Sequence, residues 1–196
     1  MFDPQAFRDA LGSFVTGVTI VTARDGAGQP FGLTANSFNS VSLDPPMVLW
    51  SLSLQSRTLP VFRDAETWAV HVLAADQQPM SDRFARPGED KFAGLAPGDG
   101  PEGAPLLEGY AARFGCRAQF EYEGGDHAIF LGEVIDFDRR ETEPLIYHGG
   151  RYGRVMRAPD GEDLEREGLA EKVGSELALT QRGTDLLAAL EALAKR

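Results

Sequence analysis

Short hydrophobic stretches rich in β-branched and aromatic residues recur along most of the chain, separated by polar, Gly- and Pro-containing breaks. Val15–Ala23 (VTGVTIVTA) is rich in Val, Ile and Thr, residues that fit a pleated surface. Phe31–Val41, Met47–Ser53, Trp68–Leu73, Ala111–Tyr122, His127–Phe137 and Leu145–Tyr147 are further strand-like stretches. Asp25-Gly26-Ala27-Gly28 and Asp44-Pro45-Pro46 break the chain between them, and Glu123-Gly124-Gly125-Asp126 predicts a hairpin. The longer helical period occurs in short pieces. Phe7, Ala10, Leu11 and Phe14 recur at helical spacing behind Asp3 as a cap and Pro4 in the first turn. Thr58–Asp64, capped by Thr58, and Asp76–Ala85 are the next two candidates, and the Gly- and Pro-rich Arg86–Pro105 is a loop. Seven strand stretches with only short helices between them predict an all-β core, a sandwich or barrel.

The pattern changes after residue 157. Residues 158–196 are acidic and hold no aromatic side chain. Leu164–Val173 and Thr180–Lys195 read as helices, the second with Leu186, Leu187, Leu190 and Leu193 on one stripe. The organisation expected is therefore a domain over 1–157 and an acidic helical C-terminal extension over 158–196.

Composition narrows the function. With 196 residues, 42% of them hydrophobic, the chain can bury a full core. No apolar run reaches the length of a membrane helix and the N-terminus is not basic then apolar, so a cytoplasmic protein without a membrane partner is expected. The single cysteine, Cys116, is expected in the core, and three separated histidines leave no metal site. His127, at the predicted hairpin, is expected to shape the turn. A net charge of −11 argues against nucleic acid and leaves a small-molecule partner.

Gly98-Asp99-Gly100-Pro101-Glu102-Gly103 matches a dinucleotide fingerprint in form alone. It follows no predicted strand, opens no helix and carries acids where a pyrophosphate would sit. Three other stretches carry chemistry. Gly32–Ser42 (GLTANSFNSVS) is a strand lined by Thr34, Asn36, Ser37, Ser40 and Ser42, and its small residues let a flat ligand approach the backbone. Ser51-Leu52-Ser53-Leu54-Gln55-Ser56-Arg57-Thr58 gathers hydroxyls and a guanidinium suited to phosphate. Tyr147-His148-Gly149-Gly150-Arg151-Tyr152 ends the last strand with two glycines and polar rings. From the residues alone, a polar edge strand and a capped helix remain the plainer alternatives for the first two.

In this order the runs FVTGVTIVT, GLTANSFNSVSLDPP, SLSLQSRT, Arg83-Phe84-Ala85 with Lys91-Phe92, GGDHAIFLGEV and YHGGRYGRV resemble the flavin reductase-like family. Its members include the small reductase components of two-component flavin-dependent monooxygenases, such as that of 4-hydroxyphenylacetate 3-monooxygenase. The resemblance spans about residues 5–155. It implies a split β-barrel, usually a homodimer, that binds FMN or FAD, uses NADH or NADPH as co-substrate and supplies reduced flavin to a separate oxygenase. It implies that Thr34, Ala35, Asn36, Ser37 and Ser40 line the flavin ring. Ser51, Leu52, Ser53, Ser56, Arg57 and Thr58 would hold the ribityl chain and phosphate, and Phe84 and Ala85 would flank the flavin. His148, Gly150, Arg151 and Tyr152 would border the nicotinamide, with His148 orienting it or moving a proton. Two readings of the same fold stay open beside this one: a flavin-carrying sensor without turnover, and an oxidase of a pyridoxal-type phosphate.

Overall fold

Helix α1 (Pro4–Gly12) begins where its cap predicts, with the Gln5 N–H donating to the Asp3 carboxylate at 2.9 Å. The computed structural model describes residues 3–88, 90–155, 161–173 and 176–194. After α1 come β1 (Thr16–Gly17), β2 (Thr19–Arg24), β3 (Pro30–Ala35), β4 (Asn39–Leu43), β5 (Pro46–Ser53), α2 (Leu59–Asp64), β6 (Thr67–Val72) and α3 (Gln78–Ala85). The loop beyond α3 contains two-residue strands β7 (Gly98–Asp99) and β8 (Pro105–Leu106). A long hairpin, β9 (Ala112–Gly124) and β10 (His127–Arg139), precedes β11 (Leu145–His148) and β12 (Arg151–Arg154).

Seven strands form one antiparallel sheet in the order β3-β2-β6-β9-β10-β5-β4, and β1, β11 and β12 form another of three. The expected strands are present, with three corrections. Val15–Ala23 breaks at Val18 into β1 and β2, which belong to different sheets. Phe31–Val41 is not continuous: it breaks at residues 36–38 into β3 and β4, which lie at opposite edges of the large sheet. β12 was not foreseen, because a Gly- and Arg-rich run carries little strand signal. The break has a geometric consequence. A three-residue link spans roughly 14 Å at most, so the sheet curls until its two edges approach each other.

The core follows the alternation along β5. Val48, Trp50 and Leu52 are buried, and their neighbours are not. Trp50 stacks on Phe130 with centroids 4.8 Å apart and meets Phe62 of α2 at 4.9 Å and Trp68 at 5.9 Å, both edge-on. Gly132 makes this fit possible, since a Cβ there would fall 2.4 Å from the Trp68 ring. Cys116 lies in the same cluster, where burial pushes its thiol pKa up. A second cluster joins Ile20, Leu73, Phe84, Phe92 and Leu145.

Buried His71 ties strands together. Its Nε2 accepts from the Leu107 N–H at 3.0 Å, so Nδ1 carries the proton and donates to the Ile20 carbonyl at 3.2 Å. Desolvation holds its pKa down at about 4.

The chain divides into two compact units, Met1–Val155 and Met156–Arg196. In the second, α4 (Gly161–Arg166) is followed by a hairpin of β13 (Ala170–Val173) and β14 (Glu176–Leu179), then α5 (Gln181–Ala194). The helix expected over Leu164–Val173 thus ends at Arg166. Gly168, at φ +68°, turns the chain into the hairpin. α5 starts as expected, with the Gly183 N–H donating to Thr180 Oγ1 at 3.2 Å. Leu186, Leu187 and Leu190 are exposed; the Leu193 side chain and Lys195 lie outside the described residues. No helix among the described residues is long and apolar enough to cross a membrane.

Candidate functional site

β3 places its polar run on an edge of the large sheet, but several of its side chains are already engaged. Thr34 Oγ1 donates to the Ser81 carbonyl at 2.6 Å. Ala35 is buried, and its carbonyl accepts from Thr19 Oγ1 at 2.7 Å. Lys91 Nζ clamps the Gly32 and Phe84 carbonyls at 3.2 and 2.7 Å, and partial burial lowers its pKa.

Ser37 joins the first two candidate stretches. Its Oγ accepts from the Ser51 N–H at 2.9 Å and sits 3.1 Å from the Ser51 carbonyl. Asn36 and Ser40 are exposed beside it. Farther on, Ser53 Oγ accepts from the Gln55 N–H at 3.3 Å. Thr58 stands at the start of α2 without capping it; its hydroxyl lies 3.0 Å from Ser56 Oγ instead. Arg57 projects into solvent between them. The expected cap is therefore absent: Ser56 Oγ accepts from the Thr58 N–H at 3.3 Å and the two hydroxyls bond each other, so the exposed Arg57 guanidinium is the group left open to a ligand.

The third stretch meets the first across the fold. A cleft of about 700 Å³ is lined by Asn36, Tyr147, His148 and Gly150 on one side and by α1 on the other. The sequence separates Asn36 and His148 by most of the first unit. The curl of the sheet and the β1–β11 pairing, Thr16 opposite Tyr147, bring them to one opening. Thr16 also lines the cleft, and its buried Oγ1 has no hydrogen-bond partner among the described residues. The Gly149 N–H donates to the Gly12 carbonyl at 2.9 Å, which fastens α1 to the turn that carries His148. Gly149 and Gly150 take φ of +54° and +78°, which the turn requires.

Of the expected contacts, Asn36, His148 and Gly150 line this opening; Thr34, Ala35, Ser37, Ser40, Ser51, Ser53, Ser56, Arg57 and Thr58 do not, and neither do Leu52, Phe84, Ala85, Arg151 and Tyr152. Leu52 belongs to the inward face of β5, and its side chain is core. Phe84 is fully buried: it packs on Gly32, where a Cβ would come within 2.6 Å of its ring, and edge-on against Phe92 at 5.1 Å. Its ring therefore supports the strand from behind. Ala85 and Arg151 are exposed but do not line the cleft. Tyr152 points to α3, donating to Asp82 Oδ1 at 3.0 Å and lying 2.9 Å from Ser81 Oγ; burial pushes its phenol pKa up. Ser81, Asp82 and the α1 wall were missed. The helical spacing of α1 reads as a core-facing stripe, and no local pattern marks α3 as the partner of Tyr152.

His127 is exposed at the foot of β10, with Nδ1 2.7 Å from the Asp126 carboxylate. The rejected glycine-rich stretch is pinned as structure. Arg24 bonds the Gly103 carbonyl at 2.9 Å and the Asp99 carboxylate at 2.6 Å, and Glu102 pairs with Arg117.

The donor set suits a flat hydrogen-bonding ring with an anionic tail: an open strand edge, amides and hydroxyls around Asn36–Ser40, and Ser56, Arg57 and Thr58 near one another. Comparison with known proteins points the same way. A family model described as the flavin reductase like domain matches residues 11–156. FMN reductase (NADH) SmoA of Agrobacterium fabrum is 48% identical over 153 residues, covering 78% of this chain and 87% of that protein. A probable flavin reductase of Rhizobium meliloti is 42% identical over 193 residues, 98% of this chain, which spans 61% of that protein's length. Other relatives are named as reductase components of flavin-dependent monooxygenases. Among solved structures, the NADH:FAD oxidoreductase SgcE6 of Streptomyces globisporus, in complex with NAD and FAD fragments, is 40% identical with a TM-score of 0.75, covering 82% of this chain and 99% of that one.

Proposed function

The chain belongs to the flavin reductase-like family, and from that premise we propose that it is an NAD(P)H:flavin oxidoreductase that reduces FMN or FAD and supplies the product to a separate monooxygenase. The observation that carries this reading is the joining of Asn36, at the break in the polar strand, to the His148 turn around one cleft. Bound flavin would accept a hydride from reduced nicotinamide, a transfer that alignment serves and that needs no acid–base dyad.

The chain's own residues divide that work. Thr34–Ser37 and Ser40 present backbone and hydroxyl groups to the ring, with Ser51 and Ser53 beneath them. Ser56, Arg57 and Thr58 take the phosphate. His148 and Gly150 border the nicotinamide, and Tyr152 holds their hairpin through Ser81 and Asp82. The curled sheet is read as a split β-barrel. Exposed Leu43, Phe120, Tyr122 and Phe137 offer apolar cover for a second copy in a homodimer.

The test is direct. Purified protein is mixed with NADH or NADPH and with FMN, FAD or riboflavin, and the nicotinamide absorbance band is followed. Loss that depends on added flavin is expected. No loss with either nucleotide would end the reading, and copurified flavin that resists reduction would favour a sensor of the same fold.

A further inference from the structure

We propose that α1 is the wall that holds the adenosine diphosphate half of the nicotinamide dinucleotide, with Arg8 as its phosphate contact; the assignment rests on the reductase reading above. The helix is amphipathic, yet none of its residues is buried. Phe7 and Leu11 form one stripe, which Phe14 extends two residues past the helix end, and Leu11 and Phe14, 59% and 73% exposed, line the cleft rather than the core. A helix with this spacing ordinarily buries the stripe. Here it is fastened edge-on: a Cβ on Gly12 would lie 3.5 Å from Gly149 Cα, so α1 sits directly beside the His148 turn.

Charge selects the occupant. Arg8 lines the same cleft, is exposed, and its guanidinium forms no hydrogen bond or ion pair among the described residues. Its neighbour Asp9, which also lines the cleft, is held by Gln5 Nε2 at 2.9 Å. In a protein of net charge −11, an anionic dinucleotide needs a local cation to stay. The opposite wall, where His148 and Gly150 border the nicotinamide in the reading above, carries no acid and suits a carboxamide ring. The two walls thus match the two ends of one ligand: the imidazole for the nicotinamide, the guanidinium for the pyrophosphate, and the Phe14 ring for the purine. A volume of about 700 Å³ accommodates a ligand of this size.

Two measurements on the full chain test the assignment. ADP-ribose, which lacks nicotinamide, is titrated calorimetrically into wild type, Arg8→Ala, Arg8→Lys and Phe14→Ala. Separately, kcat/KM is compared for NADH and reduced nicotinamide riboside. Arg8→Ala should weaken ADP-ribose about tenfold and cut the preference for NADH over the riboside by a similar factor. Arg8→Lys should recover most of both, and Phe14→Ala should weaken ADP-ribose a few-fold. Wild type that does not bind ADP-ribose, or equal affinity in Arg8→Ala, overturns the proposal. So does a Phe14→Glu variant that changes oligomeric state while ADP-ribose binding ignores Arg8, which would make α1 an interface between copies. Arg8-dependent ADP-ribose binding without flavin-dependent NADH oxidation would leave α1 as a nucleotide wall and remove the reductase reading alone.

Discussion

The centre of the large sheet and its rim use side chains in opposite ways. At the centre, Trp50, Trp68, Phe62 and Phe130 leave so little room that Gly132 must be glycine. At the rim, the side chains of Asn36, Arg57, Arg8 and His148 are exposed and make no protein hydrogen bond or ion pair among the described residues. Unpaired polar groups are costly when buried and cheap when hydrated. Stability is therefore concentrated where no ligand can reach, and the rim keeps free donors without weakening the fold.

Four substitutions or conditions probe that contrast, in descending size. Trp50→Ala should cost about 3–5 kcal/mol, read from urea unfolding; a loss below 1 kcal/mol would mean the aromatic cluster is not the centre of stability. Acid should come next. The folded pKa of His71, about 4, lies below its ordinary 6.5, so its neutral form contributes fully above pH 6.5. As pH falls from 6.5 towards 4 the unfolded chain binds a proton that the folded one refuses, and about 3 kcal/mol is lost. Urea midpoints at either end of that window should differ, and the difference should shrink in His71→Gln. At the rim the readout changes from stability to affinity. Arg57→Ala should raise the FMN dissociation constant about tenfold, with little effect on riboflavin or on the melting temperature; equal losses for both flavins would remove the phosphate assignment. Tyr152→Phe is the smallest: about 1 kcal/mol of stability from its bonds to Ser81 and Asp82, with a rise in the nicotinamide KM that exceeds any change in the flavin KM. An unchanged KM would leave Tyr152 a purely structural tie.

The same contrast explains what could be read from the chain. Strands such as Met47–Ser53 and the β9–β10 hairpin announce themselves, because they are rich in apolar, β-branched and aromatic residues and Gly124-Gly125 marks the turn. α1 is legible from Asp3 and Pro4, though its role is not, since the spacing that builds a core-facing stripe also builds a cleft wall. Polar Asn36 and Ser37 fit an edge strand as well as a break, so the split at residues 36–38 was invisible. Leu52 and Phe84 sit inside motif runs, but which face each shows depends on register and on Gly32, which only the fold supplies. In the tail, Leu164–Val173 has helical composition to either side of Gly168, and one backbone angle at that glycine decides the outcome.

The short span from Ala35 to Asn39 works as a hem. It draws the outermost strands together and, in the same few atoms, presents Asn36 to whatever enters. Residues added there would slacken the curvature and move the recognition point together. Chain length at this one spot is thus a dial for the width of the opening, and one that no change of side chain alone can turn.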